Sequence, residues 1–435
     1  MRERSQRRAQ WYLVTASTLC LAGMWLYAQR VLVAHQVAEA VAHGRPRGNL
    51  SDLYPRWLGA RELLLHGRDP YSAGVTREIQ AGYYGRPLDS ARPEDPKDQQ
   101  GFAYPAYVVF YLAPTVHLPF DVVRRDFFWV LLGLTSISIP IWLRILRWPL
   151  APWTQASLVA LTLGSLAVVQ GLKLQQMTLL VVALVAVAIA LLMTRHPVAA
   201  GILLALATIK PQVVCVLLFW LAIWTIGDWK GRYRLMVSFL ITMAVLFVAA
   251  ELLLPHWIVR FWHAANEYLL YTDGVPLLDE LIPTPWSRLA GLAAAIGAAL
   301  LCWRDRKPAE DTAEFAFITC LVLAVTLLIV PTHALYNQVL LVPALLLLAR
   351  HWRAIWLRDR ISRALLSAVA ILVIWPWLST IVLAALSFVM PPEIVLKAWA
   401  VPGWTALTLP VAVTGLMLLV VYRVSWTAPA GRAPA

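Results

Sequence analysis

The chain has 435 residues, of which 60% are hydrophobic and only 14% are charged. A mean hydropathy of +0.66 and 21 tryptophans exclude a soluble globular protein of this length and indicate a polytopic membrane protein. The apolar runs have the length of membrane-spanning helices, about 17 to 25 residues, and no alternating strand pattern accompanies them. We therefore predict an all-α bundle of transmembrane helices with about twelve spans, forming a single integral membrane domain over residues 1–435.

The net charge of +13 is compatible with nucleic-acid binding, but the basic residues form short clusters between apolar runs, as at residues 350–363. The tendency of lysine and arginine to stay on the cytoplasmic side explains this pattern better. We therefore expect membrane lipids rather than nucleic acid around the chain. The cysteines stand inside apolar runs without pairing or metal-ligand spacing, so we interpret all four as packing residues: Cys20, Cys215, Cys302 and Cys320.

In chain order, residues 11–33 form a first apolar run that is too long for a signal peptide, so we predict a retained span with a cytoplasmic N-terminus. The polar segment 35–101 follows and is predicted to be the first periplasmic loop, with helices that lie at the membrane surface. The acidic segment 255–285 is predicted to be a second outer loop. The other apolar runs are 103–119, 126–146, 153–170, 174–193, 198–226, 235–254, 286–303, 313–330, 334–349, 364–388 and 401–422.

The middle of the chain does not follow the charge rule, because simple counting of these runs puts Arg144 and Arg147 outside. One remedy is a break in the run 198–226 at Lys210, since Pro211 disfavours a continuous helix. This break also moves Gln176 to the outside, and it requires a re-entrant piece somewhere in 103–126.

The most polar stretch near the first span begins at Ser51 and has the pattern of a helix. Asp52 stands at the predicted helix N-terminus, where the helix dipole favours an ionised carboxylate, and Arg56 lies one turn further on. The apolar stripe that begins at Leu53 and Trp57 predicts a helix lying flat on the membrane. Asp52 is either a general base or an end charge in a salt bridge, and the spacing alone favours the salt bridge.

Three further polar groups stand in apolar surroundings, where they are costly and therefore functional candidates. Lys210 would need an anion beside it if it is buried, and otherwise its amine reaches the headgroups. The pair Gln175 and Gln176 opens one apolar run, and residues 336–338 open another. His333 is better explained as an interfacial residue than as a catalyst. No metal-ligand cluster or nucleotide-binding motif is present in the sequence.

Four stretches carry a resemblance: "SDLYPRWLGARELLLHGRDPYS" (51–72), "FAYPAYVVFYLAP" (102–114), "LQQMTLLVVALVAVAIALL" with "AAGILLALATIKPQ" (174–212), and "ALYNQVLLVPALLLL" (334–348). In these stretches the chain resembles glycosyltransferase family 87 of the GT-C superfamily. The resemblance implies a GT-C type helix bundle and an enzyme that takes a sugar from a polyprenyl-phosphate donor on the outer face of the cytoplasmic membrane. The implied acceptor is a lipid-linked or envelope glycan, and mannose is the implied sugar.

The resemblance also implies roles for single residues. Asp52 would be the general base of an inverting transfer that needs no metal or other cofactor. The donor phosphate would bind to Lys210, Arg56 and Arg61. The substrates would contact Gln176, Tyr104, Tyr336, Asn337 and Gln338.

The chain departs from the family pattern at two places. The family commonly has Gly-Gln where this chain has Gln175-Gln176, and Thr178 replaces a frequent asparagine. A histidine is frequent in the segment that corresponds to 331–338, but His333 is displaced from that position, so we assign it no catalytic role. A transporter or flippase of a lipid-linked sugar is the main alternative function, and a non-catalytic scaffold is a third, but no internal repeat supports a transporter.

Overall fold

The computed structural model describes residues 2–44, 51–272, 274–331 and 333–419. Every regular element in these ranges is a helix, as predicted. The helices of the first half are α1 (Arg2–Tyr27), continued by a π-helical stretch (Ala28–Val33) into α2 (Ala34–Ala42), α3 (Leu53–His66), α4 (Ala73–Tyr84), α5 (Val109–Leu112), α6 (Phe120–Ile145), α7 (Pro152–Leu163), α8 (Leu166–Lys173), α9 (Met177–Met193), α10 (Pro197–Ala207) and α11 (Pro211–Gly227).

The second half is built in the same way, with one long 3-10 segment. Its elements are α12 (Trp229–Leu253), α13 (Trp257–Tyr271), α14 (Leu277–Leu281), α15 (Trp286–Arg304), α16 (Ala313–Ile329), the 3-10 segment Leu335–Leu341, α17 (Val342–Arg350), α18 (Trp352–Arg358), α19 (Arg360–Leu386), α20 (Pro392–Lys397) and α21 (Thr408–Leu419).

In the part of the chain that the structure describes, six helices are long and apolar enough to cross a membrane. The number rises to eight if two bent helix pairs, at α7–α8 and at residues 335–358, each form one span. Shorter apolar helices accompany them, and the end of the last predicted run, residues 420–422, lies outside the described ranges. The structure thus has the helices of an integral membrane protein, and the number of about twelve spans stays a prediction.

The long helices expose apolar side chains on one face, as lipid-facing helices do. On α12, Leu240, Val245, Val248 and Leu252 are each more than half exposed. Their spacing places them on one side of the helix. These side chains are exposed in the part of the chain that the structure describes, so we assign this side to the lipid.

The predicted break at Lys210 is confirmed, because α10 ends at Ala207 and α11 begins at Pro211. Pro211 is the first residue of α11, where a missing N–H costs nothing. The predicted run 103–119 forms only a short helical segment, Ala106–Thr115. Ten helical residues rise about 15 Å, half of the hydrocarbon thickness, so this segment is too short for a straight span.

Contacts between distant segments define two ends of the bundle. The site end includes Asp52 and α3, and there Phe120 at the start of α6 packs against Tyr54 with ring centroids 4.9 Å apart. Because α6 has 26 residues, Arg147 after its C-terminus lies at the opposite end, where it pairs with Asp311 at 3.3 Å. The simple count that placed Arg147 on the same side as Asp52 is therefore wrong. It counted the short segment 106–115 as a span.

Helix α3 has its apolar stripe buried against the protein rather than exposed to lipid. Leu53 and Trp57 are at most 4% exposed, and the indole of Trp57 donates to the carbonyl of Thr115 at 3.2 Å. A Cβ at Gly59 would lie 2.3 Å from the Phe102 ring, so α3 and the segment after residue 101 are in close contact. The predicted helix is confirmed, but its stripe packs on the protein; the helix ends before Gly67, which has φ +64°.

Candidate active site

Asp52 lies at the N-terminus of α3 and is partly buried. Its Oδ2 accepts a hydrogen bond from the side-chain amide of Gln176, which is 124 positions away in the sequence. Its Oδ1 is 3.4 Å from the hydroxyl of Tyr83, longer than an ordinary O–H···O bond. Oδ2 is therefore held by a hydrogen bond, and Oδ1 can still accept a hydrogen bond from another donor.

Lys210 is the next member of the cluster, and it is 5% exposed. Its amine donates to Gln176 Oε1 at 3.2 Å and to Thr178 Oγ1 at 2.7 Å, and it lies 4.6 Å from the centre of the Tyr336 ring. The Thr178 hydroxyl is also 3.0 Å from Asn337 Oδ1. All these partners of the ammonium group are neutral.

The chemistry of these groups sets the direction of every hydrogen bond. A lysine ammonium only donates and an ionised carboxylate only accepts. Gln176 must therefore turn its oxygen to Lys210 and its NH₂ to Asp52. For the same reason the Thr178 hydroxyl accepts from Lys210 and donates to Asn337. Lys210 thus orients the amide that holds Asp52.

The turn between α8 and α9 brings Gln176 to Asp52. Gln175 has φ +47°, a left-handed conformation that glycine adopts without cost. Its side-chain amide donates to the carbonyls of Leu172 and Lys173, at 2.6 and 3.2 Å. The resemblance leads one to expect a glycine at this position, and a glycine would adopt this conformation without cost. In this chain the two amide bonds hold a glutamine in it.

Cations surround the acid. Arg56 is 8% exposed, donates to the backbone carbonyl of Asp52 at 2.5 Å, and has its guanidinium 4.5 Å from the centre of the Tyr104 ring. Its buried Nε has no hydrogen-bond partner. Arg56, Lys210 and Lys173 all lie within electrostatic range of Asp52. Buried positive charge in excess of negative charge is costly, and a bound anion would reduce that cost.

The 3-10 segment 335–341 has the polar cluster on one side and an apolar cavity of about 410 Å³ on the other. Tyr336 and Asn337 contact the cluster, whereas Leu335, Gln338 and Val339 line the cavity. The side-chain amide of Gln338 donates to the carbonyl of Ala406. The remaining walls are mostly leucine, valine and alanine from α7, α8, α17, α19 and α21.

The structure thus brings together most of the residues singled out from the sequence. Asp52, Gln176 and Lys210 form one hydrogen-bonded chain, and Tyr336 and Asn337 adjoin it. Tyr104 joins through Arg56. The predicted site residues outside the cluster are Arg61, whose guanidinium lies 5.4 Å from the centre of the Trp57 ring, and Gln338. His333, to which no role was assigned, is half-buried and its backbone N–H donates to the carbonyl of Val275 at 3.1 Å.

The sequence analysis missed four residues near Asp52. Burial raises the pKa of Tyr83 well above its usual value and raises that of Tyr268 to about 12, so both hydroxyls stay protonated donors at neutral pH. Burial also raises the pKa of Asp98. Lys173, the fourth, donates to the side-chain oxygen of Gln36. None belongs to an apolar run at a position that spacing singles out, so no local signal identified them.

Within the described ranges, no group of three or more His, Cys, Asp or Glu side chains is arranged to hold a metal ion. All four cysteines are free thiols, and Cys302 and Cys320 are buried as predicted, whereas Cys215 is exposed. The acid, the amide, the cations and the tyrosine hydroxyls are the chemical groups that the described residues provide around Asp52.

A family model described as glycosyltransferase family 87 matches residues 102–331, just over half of the chain. The chain belongs to glycosyltransferase family 87. Membership implies a membrane glycosyltransferase, in agreement with the helices described above. No curated protein and no solved structure matches the chain.

The family 87 match includes Tyr104, Gln176 and Lys210 but ends before Tyr336 and begins after Asp52. The hydrogen bond from Gln176 to Asp52 connects the matched region with the acid that precedes it. Membership also favours an enzyme over a transporter or a scaffold, the two alternatives that the sequence left open.

Proposed function

We propose that this family 87 glycosyltransferase moves a sugar from a polyprenyl-phosphate donor to a lipid-linked or envelope glycan at the outer face of the cytoplasmic membrane. The transfer inverts the anomeric centre, Asp52 is the general base, and mannose is the first sugar to test. The observation that supports this most strongly is the combination of one hydrogen-bonded carboxylate with buried cations. The carboxylate can take the proton of a hydroxyl nucleophile, and the cations can stabilise the charge of a phosphate leaving group.

In the proposed reaction the acceptor hydroxyl donates its hydrogen bond to Asp52 Oδ1. As the hydroxyl oxygen attacks the anomeric carbon, its proton passes to Asp52, and the bond between that carbon and the phosphate oxygen breaks. The electron pair of this bond leaves with the polyprenyl phosphate, whose charge becomes more negative by one. Lys210 and Arg56 stabilise that charge as it develops.

The lipid part of the donor has a matching environment. The apolar cavity of about 410 Å³ shares the segment 335–341 with the polar cluster. A donor whose phosphate lies near Lys210 and Tyr336 would direct its prenyl chain towards Leu335 and Val339. Burial of each CH₂ group contributes about 0.8 kcal/mol, so even part of a prenyl chain would contribute substantially to donor affinity.

The proposed orientation follows from the charges at the two ends of the bundle. The end opposite the site includes Arg147, Arg232 and Arg306, with Arg232 donating to the Arg306 carbonyl at 3.0 Å. Basic segments stay in the cytoplasm, so the end with Asp52 faces outward. Arg61 could assist only if the donor extends along α3 beyond the cluster, and we give it a secondary role.

The test is sugar transfer by purified protein. We expect label to move from radiolabelled polyprenyl-phosphate mannose, or from its glucose or arabinose analogue, into a product formed with a membrane-lipid extract. Asp52→Asn keeps the shape of the side chain but removes the base, so the rate should fall by about 10²- to 10⁴-fold.

Asp126→Asn is the matched control, because Asp126 is an exposed acid on α6 that contacts Arg125. It should retain the wild-type rate. A donor that binds but is consumed by no form of the protein would contradict the proposal and favour a transporter. A wild-type rate in Asp52→Asn would show that another group is the base.

A further inference from the structure

A second large concavity, polar rather than apolar, lies beside the candidate active site. It has a volume of about 1080 Å³ and is bounded by α4, by the loop from Leu88 to Ala103 and by α13. Small-molecule sites usually have volumes of about 300 to 1,000 Å³, so this cleft has room for a ligand larger than one sugar. We call it the loop cleft.

The side chains that line the loop cleft are suited to an uncharged, hydroxyl-rich ligand. Three cationic residues, Arg77, Arg92 and Lys97, are balanced by three acidic ones, Asp89, Asp95 and Glu267. The presence of charges of both signs contrasts with the excess of cations near Asp52.

The other lining groups are aromatic rings and amides. Tyr71 and Phe102 form an edge-to-face pair with centroids 5.2 Å apart, and both contribute to the wall with Tyr271. Gln80 and Gln99 also line the cleft. Flat apolar rings combined with a few fixed polar groups provide packing area and orientation for sugars.

The loop that forms one side of the cleft is held in place by its own contacts. Arg86 pairs with Asp95, which also accepts from the backbone N–H of Asp89 at 2.9 Å, and Arg86 lowers the pKa of Asp95 to about 2. Gln80 accepts from the N–H of Leu88 at 3.1 Å and donates to Gln99 Oε1 at 2.8 Å. A wall that is already ordered loses little entropy when a ligand binds.

The opposite side, α13, is tied to the first loop by an ion pair between Arg260 and Asp69 at 2.5 Å. The cleft also adjoins the active site through a shared wall. The Tyr71 hydroxyl donates to the carbonyl of Tyr104 at 2.6 Å, and the Tyr104 ring lies under Arg56. These contacts place the cleft next to the catalytic cluster.

We propose that the loop cleft binds the sugars of a neutral oligosaccharide acceptor that precede the sugar receiving the new residue. This inference rests on the proposed transferase function and specifies its acceptor. Only an acceptor of several sugar units would occupy the cleft and Asp52 together, because the cleft lies beside Asp52 rather than over it.

The experiment fills the cleft. Ala264 on α13 lines it, whereas the adjacent Ala265 does not, so Ala264→Trp and Ala265→Trp form a matched pair. Ala73→Trp fills the cleft from α4. Thermal unfolding in detergent identifies any variant that fails to fold, and one of the two filling variants is sufficient for the test.

Two measurements use defined probes. Equilibrium binding is measured with a tritiated neutral mannotetraose glycoside, and transfer is measured with that glycoside and with the corresponding monosaccharide glycoside. We expect a filling variant to weaken tetrasaccharide binding and raise its KM at least about tenfold, which corresponds to 1.4 kcal/mol. Ala265→Trp and the rate with the monosaccharide should stay unchanged.

The inference is overturned if a folded filling variant binds the tetrasaccharide as tightly as the wild type and has the same KM. It is also overturned if the wild-type protein does not bind the tetrasaccharide. If the wild-type protein binds the tetrasaccharide but transfers sugar to no acceptor, the proposed function is contradicted instead. In that case the binding measurement still decides whether the cleft is a glycan site.

Discussion

At the residue scale, the most informative contact is the one from Lys210 through Gln176 to Asp52. The sequence treated the lysine as a phosphate ligand and the aspartate as a base, each by itself. The structure joins them through one amide, so the lysine both supplies charge and orients the group that holds the carboxylate. Loss of Lys210 should therefore have more than one consequence.

We expect Lys210→Met to reduce kcat by about 10²- to 10³-fold, because the charge that faces the leaving group is lost. The variant also leaves Gln176 Oε1 without its donor, which costs about 1–3 kcal/mol of stability. Transfer kinetics and thermal unfolding measure the two effects separately. Lys210→Arg keeps the charge and should recover part of the rate.

Lys397→Met is the control, because Lys397 is an exposed lysine at the end of α20. Its rate and stability should equal those of the wild type. If Lys210→Met lowers stability but leaves kcat unchanged, the lysine has a structural role only.

At the scale of single elements, the turn between α8 and α9 determines whether the cluster forms. Its left-handed residue, Gln175, is followed directly by Gln176, and α9 begins one residue later. A change in this backbone conformation would move Gln176 away from Asp52. The amide bonds of Gln175 to Leu172 and Lys173 explain how a residue other than glycine is tolerated here.

We expect Gln175→Gly to retain activity and to change the free energy of unfolding by less than about 1 kcal/mol, because glycine adopts φ +47° freely while the two amide bonds are lost. Gln175→Val should lose about 1–3 kcal/mol and much of the activity, since a β-branched residue is strained in that region. Thermal unfolding and transfer rates of the two variants are the measurements. Equal stability of both would contradict the account of this turn.

At the scale of the whole molecule, the two ends of the bundle resolve the conflict in the charge pattern. With residues 106–115 too short for a straight span and α6 running from the site end to the opposite end, Arg147 joins the other basic segments. The site residues Asp52, Gln176 and Lys210 all lie at the other end. The position of Arg147 then supports the proposed outward-facing site.

Cysteine labelling tests this orientation. In a variant without Cys20, Cys215, Cys302 and Cys320, we expect Arg92→Cys to react with a membrane-impermeant maleimide in right-side-out vesicles. Arg353→Cys should react only in inverted vesicles, because residue 353 belongs to a basic segment that the proposed orientation places in the cytoplasm. The reverse pattern would place the site on the cytoplasmic side.

The sequence by itself determined the class of the protein and most members of its site. A chain this apolar is not soluble as a globular protein, so its composition predicted an all-helical membrane protein. Pro211 predicted the break in the helix beside Lys210. Polar residues in apolar surroundings are costly, which is why Gln176, Lys210 and Asn337 stood out before any contact was known. Asp52 stood out for a different reason, as an acid at a predicted helix N-terminus in the polar stretch after the first span.

Only the tertiary structure decided which of these residues meet. The bonds of Gln176 to Asp52 and of Thr178 to Asn337 join residues more than 120 positions apart. Hydropathy and helical period describe each segment separately and contain no information on which helices pack together. The same limitation explains why the stripe of α3 was assigned to lipid, since its covering partner is a segment that begins after residue 101 and whose length resembled a span.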